Sequence, residues 1–185
     1  MEPPLESPDD QRRQRLLFVT ARAAEYEDCL REFNFEKHLN QNHPYFRHEG
    51  SEWDIRVTHT GIGPDQAQQT LRKIDGSLEP DFILVAGTAG SLSIDLERDS
   101  IYLPTAIRSA EGSPKNDWYH PETEILHWIR GVLDQRTEQS ERLRSGPLLS
   151  ADEPVVDPDA RRQLKEQNQA LAVDMETSTV IDFFG

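Results

Sequence analysis

Short apolar runs that each stop at a turn of small or acidic residues constrain the fold of this chain more than any other feature: RLLFVT at 15–20, DFILVA at 81–86 and LAV at 171–173. Runs this short suit buried strands rather than buried helices. A further strand is expected where Trp53, Ile55 and Val57 alternate with polar residues, the pattern of a half-buried strand. Helical spacing follows most of them. Residues 23–33 carry good helix formers with Leu30 and Phe33 on one side, Pro64 opens a helix that turns Ala67, Leu71 and Ile74 inward, and 121–133 place Ile125, Leu126, Ile129, Val132 and Leu133 at helical intervals. The charged stretch onward through Arg144 is expected to be a solvated continuation or a loop, 110–116 a polar loop, and 147–150 a strand end. Another strand over 100–107 contains Pro104, which implies an edge or a bulge. Asp157 and Pro158 form an N-cap and first-turn pair for a helix to about residue 167, and a last helix begins near Glu176. Strands alternating with helices imply an α/β fold with a mostly parallel sheet and helices on both faces.

Composition sets the class. The 185 residues suffice for one domain with a sizeable core. Residues 1–14, rich in Pro, Asp, Glu, Arg and Gln, read as a flexible tail, leaving 15–185 as a single domain. A formal net charge of -14 without any run of Lys or Arg argues against nucleic acid or an anionic membrane as partner. No stretch approaches the ~20 apolar residues of a membrane span, and no signal peptide opens the chain, so a cytoplasmic location is expected. Cys29 stands alone, which excludes an internal disulfide and fits a small apolar role on a helix. The six histidines show no metal-ligand spacing, so no metal is expected; His59, beside a glycine turn, reads as a strand side chain.

In parallel sheets ligands rest beyond the carboxyl ends of the strands. Four turns leave strands there, at 20–25, 60–63, 87–90 and 174–176, and each carries small or acidic residues. Glycines let a ligand approach the backbone of residues 61–63 and 87–90. Asp174-Met175-Glu176 follows a buried strand, where a carboxylate accepts hydrogen bonds from two adjacent hydroxyls, the geometry of a ribose diol, and a methionine packs on the sugar face. The alternative is that Asp174 and Glu176 cap the helix that follows.

Taken in order, THTGIGPDQA (58–67), PDFILVAGTAGSL (80–92) and ALAVDMETSTV (170–180) resemble the purine nucleoside phosphorylase and nucleosidase superfamily, and more closely its nucleosidase branch, which includes 5′-methylthioadenosine/S-adenosylhomocysteine nucleosidase. The stretch GPLLSADEPVV is most similar to the hopanoid-associated phosphorylase group. The resemblance runs from about Leu16 to the last residue. It implies a three-layer α/β fold with a mixed sheet, a small-molecule nucleoside as partner and no cofactor; it also allows a homodimer. Position by position, Glu176 matches the carboxylate that holds the ribose hydroxyls, Met175 the methionine under the sugar, and Asp174 the acidic residue before it. Thr88 matches a hydroxyl residue facing sugar and nucleophile, Ala89 and Gly90 the backbone lining the base, and Ile62 an apolar contact to the 5′ substituent. Glu25 falls where nucleosidases keep the glutamate that orients the attacking water, with Glu27 as the alternative if the turn is shifted.

Phosphorylases surround phosphate with arginines. Val85 occupies a position where some have one, and Glu25 repels phosphate, so hydrolysis of a purine nucleoside is favoured over phosphorolysis. Arg22 reads as a solvated residue at a helix start, with a phosphate ligand as the alternative. The family's general acid is an aspartate on a strand beyond the helix after the VDME-type turn, and the sequence reaches Phe184-Gly185 before any such strand, so the domain is expected to lack its C-terminal strand and helix. Asp182, on the helix, is no replacement. Pro154 and Val155 stand where the family offers an aromatic to the base. Alternatives to hydrolysis are a non-catalytic nucleoside-binding remnant, an incomplete copy of an active enzyme, and a phosphorolytic enzyme.

Overall fold

In the computed structural model, which describes residues 13–40, 43–74, 79–111, 118–135 and 141–185, the chain divides into two compact units. The expected tail lies outside the described residues up to residue 12, and β1 (Gln14–Thr20) takes in Gln14, one residue ahead of the apolar run.

The first unit comprises Met1–Gly61 and Thr70–Ala86. Its sheet contains β1, β2 (Glu36–Asn40), β3 (His43–Glu49), β4 (Trp53–His59) and β5 (Phe82–Val85) in the order β2-β3-β4-β1-β5. β1 runs parallel to both β4 and β5, with Phe18 between Val57 and Leu84, whereas β3 is antiparallel to β2 and β4. Leu17, Val19 and Val57 are buried, as central apolar strands require. β5 departs from expectation. Read as buried, it leaves Ile83 37% and Leu84 38% exposed, because it ends the sheet and pairs only with β1 among the described strands.

The expected helix over 23–33 is broken. A 3-10 turn (Ala23–Glu25) gives way at Tyr26 to α1 (Glu27–Glu32), and Phe33 is exposed, its ring edge-on to Phe35. The cause is local: the Glu25 Oε2 accepts the amides of Ala21 at 3.1 Å and Arg22 at 3.0 Å, which tightens the first turn, and Tyr26 is buried.

Strict alternation on β4 also fails, because Asp54 is buried. Its carboxylate takes two bonds from Arg47, at 2.8 and 2.9 Å, and one from Arg56 at 3.3 Å. The Arg47 bonds, ahead of the opposing effect of burial, hold the Asp54 pKa below the usual carboxylate value. Asp54→Ala removes the acceptor that two guanidinium groups share, so we expect a loss of roughly 3 kcal/mol, at the low end for a buried pair because Arg47 is partly solvated and also pairs with Glu49. Thermal unfolding at pH 7 measures it. A depressed carboxylate contributes stability above its unfolded pKa of ~3.9 and loses it as pH falls through the folded value, so the gap between wild type and variant closes in acid.

Gly61 and Gly63, at φ of 88° and 87°, make the left-handed turn that precedes α2 (Pro64–Ile74). Ala67, Leu71 and Ile74 are buried along its length, as their spacing implies.

The second unit comprises Ile62–Gln69 and Gly87–Gly185. It holds β6 (Gly90–Ser91), β7 (Ile101–Ser109), α3 (Thr123–Asp134), β8 (Leu143–Ser150), α4 (Pro158–Asn168), β9 (Ala172–Asp174) and α5 (Thr177–Phe184). The sheet order is β6-β9-β8-β7: β7, β8 and β9 are parallel and β6 is antiparallel to β9. Pro104 sits on the edge strand with a register shift after it, so edge and bulge occur together. β8 begins at Leu143, correcting the reading of the stretch through Arg144 as helix or loop; Leu143 is buried and pairs with Ile101. Residues 112–117 of the expected polar loop and 136–140 after α3 lie outside the described residues. Asp157 caps α4 by accepting the Ala160 amide at 2.8 Å. Leu92, Leu149, Ala151, Ala170 and Val173 form one core cluster and Ile107, Leu148 and Ala172 another, which fix β9 and hence the turn that leaves it.

Candidate functional site

In the second unit, β9 ends at Asp174 and hands the chain through Met175 and Glu176 to α5. The ladder with β8 continues to Ser150 opposite Asp174 and is extended by the Ala151 amide donating to the Asp174 carbonyl at 2.8 Å. On the other side β6 pairs antiparallel, with Gly90 opposite Val173. Thr88 and Ala89, both exposed, therefore lead along the carboxyl end of β9.

Two features converge on this end. The Glu176 Oε1 accepts the Gly63 amide at 2.6 Å, linking residues 113 apart in sequence. The Met175 Cε lies 3.6 Å from where a Gly63 side chain would begin, an ordinary van der Waals contact, so the thioether rests beside the left-handed glycine. Ile62, next to it, is 52% exposed. The structure thus brings Ile62, Gly63, Met175 and Glu176 together, with Gly90 on the strand beside β9.

Asp174 behaves differently. Its Oδ1 accepts the Ser150 hydroxyl, and its Oδ2 accepts both the hydroxyl and the amide of Thr177, the latter at 3.3 Å. Burial raises its pKa and these bonds oppose the rise. The helix-capping alternative therefore holds for Asp174, whereas Glu176 makes no side-chain cap to α5 and bonds Gly63 instead.

The described turns beyond these strand ends contain no Lys or Arg: 62–65 read IGPD, 87–91 GTAGS, 151–155 ADEPV and 174–177 DMET. The Asp152 amide donates to Glu111 at 3.1 Å, and the Asp152 pKa is raised by residual burial and by the carboxylates of Glu111 and Asp65. Pro154 and Val155 follow it, and Val155 packs on the core. Asp182 is exposed on α5.

In the first unit, Glu25 is half-buried just past β1, and its Oε2 closes its own turn. Glu27 is exposed in the first turn of α1 with Arg31 at 3.9 Å, and Arg22 is exposed. A cluster that sequence reading missed surrounds the next residue: the Tyr26 hydroxyl lies 3.0 Å from His59 Nδ1, and His43 Nε2 lies 2.9 Å from Thr58 Oγ1. Burial lowers both histidine pKa values, favouring neutral rings. The register pairing Thr20 with His59 puts this cluster on the strand end beside that of β1. Cys29 is half-buried and burial raises its thiol pKa. Among the described residues no group of three or more His, Cys, Asp or Glu is placed to hold a metal ion, and no helix is long and apolar enough to cross a membrane.

Comparison with known proteins gives a consistent picture. Residues 16–183 match the family model described as the phosphorylase superfamily. None of the curated proteins matches the chain in sequence. Among solved structures, a mutant of futalosine hydrolase from Helicobacter pylori is 18% identical, with a TM-score of 0.80 over 92% of this chain and 83% of that one. A mutant MTAN from the same organism, with 5′-methylthioadenosine in its active site, is 20% identical, with a TM-score of 0.81 over 92% and 78%. The 5′-methylthioadenosine/S-adenosylhomocysteine nucleosidase (MTAN) of Campylobacter jejuni is 16% identical, with a TM-score of 0.80 over 92% and 79%. At these identities the likeness is one of fold.

Proposed function

The chain belongs to the phosphorylase superfamily, and on that premise we propose that it hydrolyses the N-glycosidic bond of a purine nucleoside, of the adenine type. The observation that carries this reading is the Glu176 carboxylate, steered by the Gly63 amide at 2.6 Å and set beside Met175 at the end of β9. A carboxylate there accepts both hydroxyls of a ribose diol, and the methionine supplies the apolar floor. Thr88, Ala89 and Gly90 line the sugar and base, and Ile62 covers the 5′ substituent.

Cleavage breaks the bond from C1′ to the base nitrogen and builds positive charge on the sugar ring. Glu176 stabilises that charge through the hydroxyls it holds, and the resemblance assigns Glu25 the water that adds at C1′: the water gives up a proton as it bonds to C1′, and the base leaves with the bonding pair and takes a proton from solvent. Water rather than phosphate is favoured by charge. Phosphate as nucleophile needs cations around it, while the turns at 62–65, 87–91, 151–155 and 174–177 carry Asp65, Asp152, Glu153, Asp174 and Glu176 and neither Lys nor Arg.

The test is base release from 5′-methylthioadenosine and adenosine, followed with and without phosphate. Release at the same rate in both supports hydrolysis. A strict phosphate requirement yields phosphorolysis instead, and tight binding with no release makes the chain a nucleoside-binding protein.

A further inference from the structure

Asp174 uses its acceptor capacity within the protein. Ser150 Oγ donates to one oxygen, Thr177 N and Oγ1 donate to the other, and the Glu176 amide also points to the carboxylate. A carboxylate offers roughly four lone-pair directions, and the three hydrogen bonds from Ser150 and Thr177 occupy most of them. Ser150 Oγ in turn accepts the Ser178 amide at 3.0 Å, so a single network joins β8, the end of β9 and the first turn of α5. Met175 and Glu176 are the two residues between its anchor points, and the Glu176 side chain leaves this clamped turn to meet Gly63.

From this arrangement we propose that Asp174, with Ser150 and Thr177, is a positioning device for the sugar-binding turn, acting through Met175 and Glu176 and not by contact with the ligand. This rests on the reading of Glu176 as the ribose carboxylate. It replaces the expectation that Asp174 itself binds substrate. The physical reason is entropic: two residues linking a strand to a helix have several backbone states, and fixing a residue's backbone costs about 1–2 kcal/mol. Three hydrogen bonds on one carboxylate select a single state before a ligand arrives, so that cost does not fall on binding.

The test compares Asp174→Asn and Ser150→Ala with wild type by two readouts. The first needs no activity: the Gly63 amide proton, deshielded by its short bond to Glu176, is followed by NMR in the ligand-free protein. Both variants are expected to move it upfield, Asp174→Asn more strongly, and Ser150→Ala serves if the amide variant fails to fold. The second is nucleoside affinity and turnover: the dissociation constant is expected to rise about tenfold in Asp174→Asn, the scale of one lost charged hydrogen bond, with kcat falling less. An unmoved Gly63 amide in a folded variant overturns the proposal. So does an unchanged affinity in a folded variant of a protein whose wild type binds nucleoside. If the wild type binds none, the functional reading fails, and the Gly63 amide still decides whether Asp174 positions Glu176.

Discussion

Glu176→Gln is expected to lower kcat/KM for nucleoside hydrolysis by at least about a hundredfold and to weaken nucleoside binding by a similar factor. Hydrogen bonds to a charged group contribute roughly 1.5–3 kcal/mol each, and two ribose hydroxyls lose their charged acceptor at once. Each 1.4 kcal/mol is a factor of about ten, so the lower end of that range already gives a hundredfold. Glutamine keeps a carbonyl oxygen that can still accept the Gly63 amide, now 2.6 Å from the carboxylate, so the turn itself survives. The loss therefore reports on charge at the sugar and not on unfolding. Calorimetric binding, steady-state kinetics and a melting curve on the same preparation check it. A melting temperature near that of wild type together with unchanged kcat/KM removes Glu176 from the site.

Glu25→Gln is expected to act on turnover and leave binding nearly intact. A positioned acid-base group contributes about 10²- to 10⁴-fold, and an amide cannot take a proton from water, so kcat falls by that factor while KM stays within a fewfold. The structural role of Glu25 survives, because it requires only an oxygen that accepts the amides of Ala21 and Arg22. Glu27→Gln separates the two candidates raised by the sequence. Glu27 is exposed and faces Arg31 along α1, so its substitution is expected to leave kcat unchanged. A kcat that falls for Glu27→Gln and not for Glu25→Gln transfers the role to Glu27.

The parts of the fold that could be read from the residues are those whose cause is local. β1, β4, the glycine turn with Pro64, and the Asp157-Pro158 start of α4 each carry their instruction within a few positions. β2 and β3 carry none: EKHLN and HPYFRHE neither alternate nor form an apolar run, because one end of the sheet leaves β3 only half-buried and gives it His, Arg and Glu to solvate. The break at Tyr26 turns on which amides Glu25 accepts, which helix-forming residue types do not announce, and the buried Asp54 on arginines of two strands. β5 reads as buried because its residues are apolar, yet the strand order makes it an edge.

The same division runs through the candidate site. The residue types at 174–176 point to the proposed sugar-binding turn, and the glycines at 61 and 63 mark a close approach of backbone. That Gly63 donates to Glu176 across 113 residues is a fact of topology that spacing does not encode. Nor does the sequence distinguish the two carboxylates. Asp174 turns inward to Ser150 and Thr177, and Glu176 turns to the glycine, although they are separated by a single methionine.

The measurement that bears most directly on hydrolysis is a turnover of 5′-methylthioadenosine by the full chain in ¹⁸O-labelled water without phosphate, with the released sugar analysed by mass spectrometry. The expected result is free base and a sugar carrying one ¹⁸O at C1. No base release under these conditions, with a sugar 1-phosphate formed once phosphate is added, would contradict it.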